Sequence, residues 1–292
     1  MTARSMLLAV LVAALWGGNF VAVKYGTQDF PPIFLLALRF ILVAILVLPF
    51  TGRLPRQCIG PVLAISVTLG GLHFGLMFIG ISRIEASTAA IAGQLGVPFS
   101  TLLAVAIFRE RLTARRVLGT LVAFAGVAIL AGAPEIGNDL LGLGLIIGAA
   151  FAWAVANSII KHYGPFDTYM LTGWMAAFAA PQLLIVSLLA ESGQWQSLQT
   201  ASWPAWTGLF YTVIASSIIA YAVWYTLIGR NDVSQVVPFT LLAPVFAIIA
   251  AVILLGEPLT VPLVVGGLLT ISGVALCEMR FRRRTRTFLE GE

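Results

Sequence analysis

A few polar side chains stand inside long apolar stretches of this 292-residue chain, and each type suits a definite chemistry. Asn19, three residues after Trp16, and Asn157, four after Trp153, each put an amide and an indole on one helical face. Such an amide can hold a ligand's carboxylate or ammonium, or can bond a neighbouring helix. His73 brings an imidazole that titrates near neutral pH, or that simply bonds a carbonyl. Ser217, Tyr221, Trp224 and Tyr225 lie on one side of another stretch. An aromatic wall suits a planar or cationic ligand, although Tyr and Trp also gather at membrane interfaces. Gln94 lies four residues before Pro98, where the proline frees a backbone carbonyl. Pro98 and Pro244 are placed to bend their helices as gates. Lys24 and Lys161 close their stretches, as caps on terminal carbonyls or as gate charges. Arg39 is the costliest residue and reads as a structural charge, which needs carbonyls or a carboxylate for a partner. Trp16, Asn19, His73, Gln94, Trp153, Asn157, Ser217 and Tyr221 are therefore the candidate binding set.

This inventory binds and gates; it does not make or break bonds. A catalytic constellation would need a buried carboxylate or thiol beside His73, and the acidic residues sit at the ends of stretches. The same placement speaks against a carboxylate proton relay. No Walker A loop or H-E-x-x-H occurs, and the glycines at 142, 144 and 148 lack the dinucleotide spacing. Cys58 and Cys277 have no metal-ligand spacing and suggest no disulfide framework. No cofactor, metal or catalytic residue is expected.

The elements that must hold these groups are membrane spans. Hydrophobic residues make up 60% of the chain and charged ones 10%, against roughly 25% in soluble domains. So few charges cannot coat a surface facing water. Ten spans of about 20 residues follow, near 5–23, 32–50, 60–81, 87–108, 114–131, 140–160, 166–189, 204–228, 235–255 and 261–279. The net charge of +5 belongs to the short loops between them, which is a topology signal and not a nucleic-acid surface. With the N-terminus inside, all of the 17 basic residues except Lys24, Arg83 and Arg39 fall on the cytoplasmic side. Both termini are expected there. No cleavable signal peptide is apparent, because Arg4 leads straight into a span.

The chain also repeats itself. Trp16 and Trp153, like Lys24 and Lys161, are 137 positions apart. Residues 81–87, ISRIEAS, match 228–234, IGRNDVS, at 147, and Glu110, Leu112, Thr113, Gly119 and Gly126 match Glu257, Leu259, Thr260, Gly266 and Gly273 at that same offset. The increase implies about ten extra residues, assigned to the polar 191–203 loop. Residues 1–133 and 134–292 then form two five-span repeats, the second ending in a basic tail. An odd number of spans turns one copy upside-down relative to the other. The loop RERLTARR after span four has four arginines and its counterpart GEPLTVP has none, as opposite sides require. Inverted repeats permit alternating access around a site at mid-depth.

The W-G-x-N-F…K-x-G opening, the P-P…L-R-F start of span two, the E-R-L and G-E-P-L-T corners and the ten spans resemble the drug/metabolite transporter superfamily. The similarity is greatest to its bacterial EamA-like branch of amino-acid and metabolite exporters, and it runs over nearly the whole chain. It implies an all-α polytopic inner-membrane protein that exports small metabolites through a central cavity. Aromatic-rich spans extend the resemblance to exporters of aromatic amino acids. The partners expected are a small-molecule substrate and the lipid bilayer, with no nucleic acid and with oligomeric state left open, a monomer included. Efflux of cationic drugs is the alternative. An intramembrane lipid-modifying enzyme and a non-transporting scaffold or channel subunit are more distant ones.

Overall fold

Backbone in hydrocarbon finds no water, so an apolar chain must satisfy its N–H and C=O groups along each helix. The structure, a computed structural model, describes residues 1–110, 113–133 and 139–278. Arg111 and the basic tail with Arg280, Arg282, Arg283, Arg284 and Arg286 lie outside the described residues. No strand occurs among the described residues, and ten helices are long and apolar enough to span a bilayer. They are α1 (Ala3–Asp29), α2 (Pro32–Phe50), α3 (Arg56–Arg83), α4 (Ala86–Phe108), α5 (Ala114–Ala131), α6 (Leu140–Tyr163), α7 (Thr168–Ala190), α8 (Trp203–Arg230), α9 (Val237–Leu255) and α10 (Val261–Glu278). The protein is an all-α polytopic membrane protein. Large apolar side chains such as Leu7, Ile45, Leu189 and Ile253 stand on its outer surface, as a lipid-facing wall requires.

One end of the bundle carries Lys24 with the α3–α4 and α9–α10 corners, and is called here the Lys24 face. The other carries Lys161 and Met1 with the α4–α5 and α8–α9 corners, and is called the Lys161 face. Residues 191–203, expected as a plain loop, contain a short helix at Gln194–Thr200. Beside it, Glu191 caps α2: the Ile33 and Phe34 N–H groups donate to its carboxylate at 2.8 and 2.9 Å.

The tightest seam joins α5 to α10. A Cβ on Gly119 would lie 2.6 Å from the Gly273 carbonyl oxygen, and one on Gly126 would lie 2.6 Å from that of Gly266. Only hydrogen fits there, and the two backbones touch along their length. The contacts run antiparallel, and at the 147 offset each exchanges into the other: 119 meets 273, 126 meets 266. Such reciprocity is the mark of a two-fold axis, here lying across the helix pair. Elsewhere α1 packs on α8 and α9, while α6 packs on α3 and α4, again as exchanged pairs.

Local irregularities repeat as well. Helices α3 and α8 each run for 28 residues, and each contains a π-helical segment, Ser66–His73 and Tyr211–Ile219. Widened turns of this kind frequently mark functional positions. Pro98 and Pro244 do not bend continuous α-helices. The first half of α4 ends at Gly93 and the helix restarts at Gly96; ahead of α9's α-helical part, Val237–Leu242 is 3-10 helix. Each proline thus sits in the first turn after a break, where its missing N–H is not needed.

Candidate functional site

Arg39 lies deep in α2 and is 3% exposed. Its Nε and Nη2 both donate to Ser217 Oγ, at 3.2 and 3.0 Å, and Ser217 donates onward to the Thr212 carbonyl. The rings of Phe74, Phe78 and Phe40 stand 4.9, 5.8 and 5.9 Å from the guanidinium carbon. No ion pair forms on Arg39 among the described residues, and its Nη1 is buried without a partner. The expected carboxylate or backbone carbonyl is therefore replaced by a hydroxyl and three rings. An arginine at the centre of a membrane helix costs about 2.5–3.5 kcal/mol on insertion scales. A desolvated cation–π contact returns about 2 kcal/mol, and a hydrogen bond from a charged donor about 1.5–3 kcal/mol. Those magnitudes balance, so the charge is tolerated with one edge unmet.

The cluster extends from Arg39 in two directions. His73, at the end of the α3 π-segment, packs edge-on against Phe74 at 4.6 Å, and its Nδ1 lies 2.8 Å from the Ala149 carbonyl oxygen. A carbonyl oxygen only accepts, so Nδ1 carries a proton there. Tyr221, just beyond the α8 π-segment, stands one helical turn after Ser217, the residue that accepts from Arg39. It meets Trp16 at 5.5 Å and stacks on Tyr225 at 5.8 Å. Trp16 also meets Trp224 at 5.2 Å, which places that ring in the aromatic cluster. Trp16, Phe74 and Tyr221 keep partial exposure. Of the candidate set, Ser217 thus bonds Arg39 directly, His73 adjoins it through Phe74, and Tyr221, a turn after Ser217, packs with Trp16.

Asn19 is buried, and its Oδ1 has no partner. Its counterpart Asn157 spends its amide on the Trp153 carbonyl, 2.8 Å away in the same helix. Trp153 packs over Gly96, and Gln94 caps the first half of α4. The ring cage was missed in the sequence. Phe74 was within reach, since 74 and 221 are 147 apart and Tyr221 was already a candidate.

A second constellation links the faces. Arg109 and Gly256 occupy equivalent corners, both in the left-handed region at φ 53° and 69°. The next residues, Glu110 and Glu257, each send their N–H back to an alanine carbonyl, Ala104 and Ala251, at 3.3 Å. Locally the corners are the same, but their carboxylates go to different partners. On the Lys24 face, the Ala86 and Ser87 N–H groups donate to Glu257 at 2.7 and 3.0 Å, and the Ser87 hydroxyl donates too. Lys24 there donates to the Ile81, Ser82 and Ile84 carbonyls at 3.0, 3.4 and 2.7 Å. Helix α1, the α3–α4 corner and the α9–α10 corner are clasped together. On the Lys161 face the equivalent charges pair with each other, Lys161 to Glu110 at 2.7 Å, with Arg116 adding a contact at 3.3 Å. The Lys161 hydrogen bond chiefly holds the Glu110 carboxyl below its usual range. Residues 229–232, counterparts of 82–85, border with Met1 and Gln235 an open hollow of about 500 Å³.

Comparison with known proteins adds to this geometry. The profile of the EamA-like transporter family matches residues 3–132 and again residues 140–278. A "probable amino-acid metabolite efflux pump" of Salmonella typhimurium is 32% identical over 300 residues, covering all of both chains. The Escherichia coli protein of the same description is 31% identical, over 97% of this chain and 98% of its own. A solved structure with 21% identity superposes with a TM-score of 0.65, over 95% of this chain and 98% of that one, and shares its fold.

Proposed function

This chain belongs to the EamA-like transporter family, and from that premise we propose that it exports amino acids or related small metabolites by alternating access. The transporter families and relatives around it point away from an enzyme. The two family matches, at residues 3–132 and 140–278, support reading the chain as repeats at 1–133 and 134–292. In this reading the repeats lie inverted in a bacterial inner membrane, with the Lys161 face and both termini in the cytoplasm. The arginine-rich Lys161 face supports that orientation, and the reciprocal α5–α10 seam supports the inversion. Metabolite efflux is supported by the names of the relatives.

The observation that carries the mechanism is the unequal state of two equivalent corners. Glu257 and Lys24 tie three elements together on one face, while on the other Glu110 and Lys161 pair with each other beside an open hollow. A chain with two such corners has two states of similar chemistry, one latched on each face. The breaks before Pro98 and Pro244 lie in the helices whose ends these latches hold, and supply the bending points. Lys24 and Lys161 then act as gate charges. Trp16, Tyr221 and Phe74 offer apolar, aromatic walls to a substrate between the halves, which favours aromatic or large apolar side chains. The Arg39 charge, held by Ser217 one turn before Tyr221, disfavours cationic drugs.

Reconstitution in proteoliposomes loaded with unlabelled amino acids tests this reading. Saturable counterflow of at least one labelled amino acid is expected, and absence of exchange across the whole panel, with and without a pH gradient, refutes it.

A further inference from the structure

Arg39 keeps one hydrogen-bonding edge unused. Ser217 takes the edge made by Nε and one hydrogen of Nη2. The opposite edge consists of Nη1, buried and unpartnered, with the second hydrogen of Nη2. A guanidinium edge of two nitrogens accepts a carboxylate through two parallel bonds. The Ser217 bonds and the Phe74, Phe78 and Phe40 rings fix the plane of the group, so the open edge is already oriented.

We propose that this edge binds the carboxylate of a small monocarboxylate ligand, whose side chain lies against Phe74, Tyr221 and Trp16. Arg39 thereby selects acids over their amides and amines. The proposal rests on the exporter reading for the identity of the ligand as cargo, but recognition is measurable without transport. One positive charge is available, because the counterpart position at 137 holds Ala176. A monocarboxylate is matched by it; a phosphate or dicarboxylate would carry an unmatched charge into a low-dielectric site. Asymmetry between the repeats also means that the ligand binds in one orientation.

Calorimetry on the purified full-length protein in lipid nanodiscs tests this with three probes: L-phenylalanine, 3-phenylpropionate and L-phenylalaninamide. The wild type is expected to bind both carboxylates at least about tenfold more tightly than the amide. Arg39→Gln should bring the acid-to-amide ratio to within about twofold while amide binding persists, and Arg39→Lys, which keeps charge without the fork, should fall between. Should Arg39→Gln fail to fold, Ser217→Ala frees the guanidinium without removing it and should lower the ratio by about threefold. Equal binding of acid and amide by the wild type overturns the proposal, as does failure of both carboxylates to bind. An unchanged ratio in folded Arg39→Gln makes Arg39 structural only. Absence of counterflow for every amino acid would instead refute the exporter reading, whatever the binding ratio.

Discussion

Glu257 shows how much one carboxylate can hold. It faces two backbone N–H groups at the start of α4 and a hydroxyl, in a position where the helix dipole favours negative charge. Glu257→Gln keeps one acceptor oxygen and replaces the other by a donor, so one N–H loses its partner at a cost of about 1–2 kcal/mol. The expected result is a larger fraction of molecules open on the Lys24 face, measured as faster labelling of a cysteine at Ser82 by a water-soluble thiol reagent. Glu110→Gln should change that labelling little or slow it, since Glu110 here makes solvent-exposed ion pairs of small worth. Because the Glu110 carboxyl is depressed by Lys161, its pair is intact at neutral pH. That contribution is fully present above the ordinary carboxylate range and is lost as the pH falls through the depressed value. Around Arg39, Tyr221→Ala and Trp16→Ala should each lower counterflow by about tenfold through lost aromatic packing, whereas Asn157→Ala, its amide already spent on its own helix, should change it less. The sequence displayed Glu110 and Glu257 as equivalents, but their partners lie across the fold. Ala86 is 171 residues from Glu257, and no pattern along the chain states which N–H groups a carboxylate will meet. Arg39 was visible as a costly charge; that it would find aromatic rings and a hydroxyl depends on how α2, α3 and α8 converge.

At the scale of helices, spans were legible because lipid demands long uninterrupted apolar runs, and their observed edges differ by at most six residues, at the end of α1. Breaks within spans were less so. Proline at 98 and 244 suggested bends, whereas each is a first-turn residue following an interruption. Hydropathy has no term for a π-segment, and the π-segments of α3 and α8 escaped notice despite their repetition, as did a third at Ala251–Leu255 in α9. Glycine spacing carried more than it first revealed: the matched pairs at 119 and 126, 266 and 273, become a backbone-to-backbone seam. Gly126→Leu must displace the Gly266 and Thr270 backbone, and should destabilise the protein by about 1–3 kcal/mol. Gly144→Ala, which points into open space, is the matched control and should leave thermal unfolding in detergent unchanged. Equal melting temperatures for the two variants would remove α5–α10 contact as a structural determinant.

Across the whole molecule, one set of local chemistry is used twice and found in two arrangements. A left-handed corner, a glutamate and a lysine recur on both faces, joined to neighbouring elements on one and to each other on the opposite one. The proposed alternating access requires that arrangement to be reversible, with the faces exchanged and equivalent residues in the latch; only the Arg116 contact has no counterpart, because position 263 holds leucine. The exchanged state should lie within a few kcal/mol, near enough for a ligand to bias. Spin-label distances measured across both faces of the same reconstituted protein test this most directly, with one pair at Ser82 and Thr260 and its 147-offset equivalent at Gly229 and Thr113. The expected result is a short Lys24-face distance paired with a long Lys161-face distance, the two moving in opposite senses when Glu257→Gln is introduced or substrate is added. Distances that lengthen together, or a Lys161-face distance that never shortens under any condition, would contradict alternating access.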